Sequence, residues 1–167
     1  MSAFTFDSAI VAQMMDEALK FCAQKSGFSG NEHALEALHK GDCCACEYLR
    51  YALAKKVGEY LGFIDDTVKA VYAYEPEYAV GVEGGITSPG MNLVAHVSRK
   101  SAALSSVVAA MGAALAEERK KLGCPNAKAP CFELDVKLAD DADIQKRTGY
   151  GALIASQWVR PVEVWSR

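Results

Sequence analysis

Three observations predict an α+β fold: helical apolar stripes with short connections fill residues 1–62, alternating β-branched and aromatic segments follow, and one long small-residue helix is set among them. The reading is three amino-terminal helices followed by a three- or four-stranded antiparallel or mixed sheet, with the long helix packed on a face. At 167 residues, 51% apolar and 23% charged, the chain fits a single domain over 1–167. It divides into a helical segment, 1–62, and a β-rich segment, 63–167, that carries the long helix at 101–122.

Val11, Met14, Met15, Ala18, Phe21 and Cys22 share one face of a first helix, Asp7 to Lys25, closed by Ser26-Gly27. Ser29-Gly-Asn-Glu32 has the form of a capping box and opens a short second helix to about His39. Asp42 stands at the N-cap of a third, with Leu49, Leu53, Val57 and Tyr60 at helical spacing and Gly62 as its stop.

Val68 to Glu75 is rich in β-branched and aromatic residues and ends at Pro76, so it reads as a strand. A Gly-rich connection, 80–90, leads to a second strand, Met91 to Ser98. There Leu93, Ala95 and Val97 alternate with Asn92, His96 and Ser98. The two strands are expected to pair antiparallel.

Leu104, Val107, Val108, Met111 and Leu115 stripe the long helix, which Gly123 ends. Cys131 to Leu138 alternates as a third strand, so strand, helix and strand form a crossover. Asp140, Asp141 and Asp143 serve as N-cap and first-turn carboxylates of a short helix. Leu153 to Trp165 reads as extended, with Pro161 pointing to a sheet edge and Trp158 and Trp165 as exposed anchors.

Composition excludes some function classes. A net charge of -3 without a basic stripe argues against nucleic acid, no apolar run reaches the ~20 residues of a membrane span, and the amino terminus lacks a signal-peptide pattern. The expected setting is cytoplasmic, with the six cysteines reduced.

Two constellations carry chemistry. Cys43 and Cys46 form a C-x-x-C near a helix N-terminus, where the amides and dipole favour a thiolate. At ~100° per residue these two share a side and Cys44 faces away, which marks Cys44 as the exposed thiol. With His39 and Cys22 as helpers the pair would hold zinc or another thiophilic metal; the plainer reading is core packing, with no cofactor. The second constellation is Arg99, Lys100 and Ser101, cations at a helix N-terminus that a small anionic ligand would neutralise.

The Gly-rich stretch lacks the Gly-Lys-Ser/Thr ending of a phosphate loop, and no nucleophile motif accompanies His96. The default expectation is thus a non-catalytic binding or assembly domain, a homo-oligomer joined through a sheet edge or an apolar helix face. Its alternatives are a thiol-dependent metal or redox protein using Cys43 and Cys46, and an enzyme acting on a small anion beside Arg99 and Lys100.

Overall fold

Helix geometry builds the first third of the chain. The computed structural model describes residues 6–74, 90–123, 133–158 and 161–167. Helix α1 spans Ala9–Ser26, α2 spans Asn31–His39 and α3 spans Cys43–Ile64. The α3 start follows from Asp42, whose Oδ1 accepts the Ala45 N–H at 2.8 Å and so satisfies an amide that has no partner within the helix.

The capping box expected at Ser29 and Glu32 does not form. Gly30 occupies the N-cap of α2, and the Ser29 hydroxyl shares a hydrogen bond with His33 Nδ1 at 2.8 Å instead.

A second correction concerns Gly62. It does not stop α3, which runs on to Ile64. A Cβ at Gly62 would lie 2.0 Å from Cη2 of Trp165, and one at Gly58 would lie 2.7 Å from the Trp165 Cβ. The two glycines, one turn apart, form a trough for the indole. Trp165, expected at the surface, is accordingly half-buried against the core.

The strands are β1 Val68–Ala73, β2 Met91–Val97, β3 Leu134–Asp140 and β4 Val162–Ser166, with α4 at Ala102–Lys121. They form one mixed sheet in the order β3-β2-β1-β4. β1 pairs antiparallel with β2 and with β4, whereas β2 and β3, joined through α4, are parallel. Strand β4, directly after Pro161, is a sheet edge as the proline implied. The extended reading of Leu153 to Trp165 holds only for its end, because Gly151–Ile154 is a short helix, α6, after α5 at Asp141–Lys146. Asp140 and Asp143 form a full capping box at α5.

One face of the sheet, carrying Val71, Leu93 and Ala95, packs with Leu53 and Val57 of α3 and with Met111 and Leu115 of α4 in the main core. Helix α1 packs on α3 and α4. The other face carries Tyr74 and Val94, which pack with Ala139 and with Leu153 of α6 in a smaller cluster. Cover on both faces explains why β2 is buried nearly throughout rather than at alternate residues.

Candidate functional site

The cysteines at the start of α3 do not face one point. Cys43, expected to face inward with Cys46, is instead exposed like Cys44, because it stands at the first position of α3 beyond the core; Cys46 is half-buried against the core, and Cys22 is buried with its thiol donating to the Ala45 carbonyl at 3.3 Å. Burial pushes the Cys22 thiol pKa up. His39 turns to the far end of α4, where Nε2–H donates to the Leu122 carbonyl at 3.0 Å. Among the described residues no three His, Cys, Asp or Glu side chains converge to hold a metal ion. Site-resolved thiol labelling under native conditions is expected to modify Cys43 and Cys44 quickly and Cys22 only after unfolding. Equal rates at all three would contradict this arrangement.

The second constellation is divided in a similar way. Ser101 is spent as the α4 N-cap, its Oγ accepting the Leu104 N–H at 3.0 Å, and Lys100 reaches Asp143 Oδ2 at 2.6 Å. The mismatch between Lys100 and the helix dipole is thus offset by a carboxylate of this chain. Arg99 is exposed. Of the Gly-rich stretch, residues 80–89 lie outside the described residues, as do Cys124 and Cys131.

Two groupings arise that local sequence did not announce. At the carboxyl end of β2, His96 Nε2–H donates to Asp141 Oδ1 at 2.7 Å, and Lys69 Nζ meets both oxygens of the same carboxylate at 2.8 and 2.6 Å. Hydrogen bonds from Lys69 and then His96 hold the Asp141 carboxyl below its ordinary range. A folded-state pKa below the unfolded one gives stability that is present above the unfolded value, about 3.9, and lost as pH falls through the lower folded value. Urea unfolding of the wild type and Asp141→Asn is therefore expected to differ at neutral pH and converge in acid. A difference constant with pH would contradict this account. Asp141 is solvent-exposed, and the cluster reads as a tie between β1, β2 and α5.

The other grouping is aromatic. Helices α1 and α3 leave a groove of about 800 Å³ between them, walled by Phe21 of α1 and by Tyr48 and Tyr51 of α3. The Phe21 ring stands 6.5 Å from that of Tyr48, edge-on, and 5.9 Å from that of Tyr51. Tyr48 is 37% exposed and Tyr51 43%, large values for aromatic side chains on a folded helix. Lys20, Lys25, Glu47 and Lys55 border the groove with charges of both signs. A helical wheel of α3 contains the signal: Tyr48, Tyr51 and Lys55 fall on the side away from Leu49, Leu53 and Val57.

No family model, curated protein or solved structure matches the chain. No helix among the described residues is long and apolar enough to cross a membrane.

Proposed function

We propose that the protein is a non-catalytic assembly domain whose α1 and α3 face docks against the same face of a second copy. The observation that carries this reading is the pair of exposed tyrosines, Tyr48 and Tyr51, standing beside the part-buried ring of Phe21 over a groove. Tyrosine supplies large contact area at low entropic cost and is enriched in interface cores, and here it is ringed by charges as an interface rim would be.

The choice of a second copy as occupant rests on charge. Glu47 and Lys55 stand four residues on either side of Tyr51, about 6 Å each way along the helix. A twofold axis crossing α3 at Tyr51 brings Glu47 of one copy level with Lys55 of the other, twice over. Two helix pairs meeting in this way form a four-helix arrangement. The thiol and anion readings draw less support, because Cys22 and Lys100 spend their polar groups within the chain.

Tyr51→Asp is expected to raise the dimer dissociation constant at least about 30-fold, the effect of losing a ~2 kcal/mol anchor. Its circular dichroism and thermal unfolding as a monomer should stay those of a folded protein. Association unchanged by this substitution would rule the face out.

A further inference from the structure

Strand β3 is one edge of the sheet, with β2 as its single hydrogen-bonding neighbour among the described residues. About half of the N–H and C=O groups of such a strand point away from the sheet, a template for one more strand. The two edges of this sheet differ. In β4, Val162, Glu163 and Ser166 are exposed, whereas no residue of β3 is. The β3 edge is recessed.

A groove of about 490 Å³ accounts for the recess. Ala102 and Ser105, in the first turns of α4, wall it on one face of the sheet, Tyr150 walls it on the other, and Val136 and Leu138 lie between them. Walls from both faces mean that the groove runs along the strand edge itself. Two such edges cannot mate, because the walls of each would meet before the strands came within the ~5 Å of a ladder. A single extended segment, with no helix beside it, enters freely.

The side chains of β3 define the segment that fits. Leu134, Val136 and Leu138 pack toward the main core on the α4 face. On the other face Lys137 pairs with Asp135 at 3.1 Å and stands 5.9 Å over the Tyr150 ring. The two side chains are 34% and 32% exposed, so both still front an incoming strand. In an antiparallel pair, residues directly opposite each other share a face and interact. A segment centred on Val136 therefore sets one residue against Asp135 and one against Lys137, and a base on the first with an acid on the second gives four charges of alternating sign.

We propose that the β3 edge binds an extended segment of a partner protein by antiparallel strand addition, the segment reading apolar, acidic, apolar, basic, apolar from its amino end. Main-chain hydrogen bonds give the affinity, and the alternating side chains give the choice of partner. The apolar residues of the segment continue the layer of Leu134, Val136 and Leu138. The inference goes beyond self-assembly through α1 and α3, and no residue lines both grooves.

Fluorescence anisotropy of labelled peptides titrated with the full chain tests it. A peptide carrying Leu-Asp-Val-Lys-Leu, which has the required pattern, is expected to bind saturably. The charge-reversed peptide, Leu-Lys-Val-Asp-Leu, should bind at least about fivefold more weakly, since both cross-strand pairs become repulsive. The combination Asp135→Lys with Lys137→Asp should invert that preference. N-methylation of the first peptide at alternate amides should abolish binding in one phase, methyl on Val or methyls on Asp and Lys, and largely spare it in the other. Ser105→Trp, at an exposed position of α4, fills the groove and should abolish binding in a protein whose circular dichroism is unchanged. No saturable binding, equal or tighter binding of the reversed peptide, indifference to both methylation patterns, or full binding by Ser105→Trp would overturn the proposal. So would association of Tyr51→Asp with itself that Ser105→Trp removes, because the occupant would then be a second copy. Peptide binding by Tyr51→Asp should equal that of the wild type, which keeps this outcome separate from the fate of the assembly reading.

Discussion

Gly62→Ala is expected to destabilise the protein by about 1 to 3 kcal/mol, although alanine in a helix interior ordinarily gains about 1 kcal/mol over glycine. The reversal comes from Trp165, whose Cη2 would be 2.0 Å from the new methyl group. The indole must leave the trough, yet it is held from both sides. Next to it, Arg167 Nη2 donates to the Gly62 carbonyl at 2.6 Å and its Nε to the Val68 carbonyl at 3.3 Å, so the end of β4 is tied to the end of α3. Behind it, the Trp165 Cβ is only 2.7 Å from where a Gly58 Cβ would stand, and that atom cannot swing away without moving the strand. In a Trp158→Phe background, which leaves Trp165 as the one indole, Gly62→Ala should red-shift the fluorescence and lower the melting temperature by several degrees. A double-mutant cycle with Trp165→Phe should recover part of the loss. A rise in stability on Gly62→Ala would mean that the indole does not occupy the trough.

Lys55→Glu is expected to weaken self-association by about tenfold or more. Through the twofold axis proposed at Tyr51 it turns two attractive pairings with Glu47 into two repulsive ones, each change being worth about 1 kcal/mol at an exposed rim. Glu47→Lys alone should do the same. The combination Glu47→Lys with Lys55→Glu should restore association, since the pairs are then complementary again with their signs exchanged. Both single changes lie at exposed positions, but Glu47→Lys also gives up the pair of Glu47 with Arg50 in its own chain, so the folding of each monomer is checked by circular dichroism and Lys55→Glu is the cleaner of the two. A double variant no better than either single one would place the interface, or its axis, elsewhere.

What the sequence made legible was local. Asp42, Ser101 and Asp140 act as caps because capping needs only a short side chain and an amide two or three residues on. The alternation around Met91 to Val97 and the stripe of Leu104, Met111 and Leu115 identified a strand and a helix for the same reason. Gly62 was misread because a glycine near the end of an apolar stripe resembles a stop, while its cause, Trp165, lies at the far end of the chain. The burial of Cys22 and the exposure of Cys44 followed from helical spacing. That His39 would meet Leu122 rather than a cysteine did not, since it depends on how α2 approaches α4. The Lys69, His96 and Asp141 cluster was likewise invisible: it needs the strand order that places the end of β3 beside β2 and β2 beside β1. The aromatic face was within reach, because Tyr48 and Tyr51 already stand opposite the apolar stripe of α3, but exposure had to be shown before they carried weight.

Molar mass measured by light scattering over a wide range of protein concentration tests assembly through this face most directly. The account predicts a concentration-dependent rise from the chain mass of 18.0 kDa to twice that value, reversed by Tyr51→Asp. A mass of 18.0 kDa at every concentration, with Tyr51→Asp indistinguishable from the wild type, would contradict it.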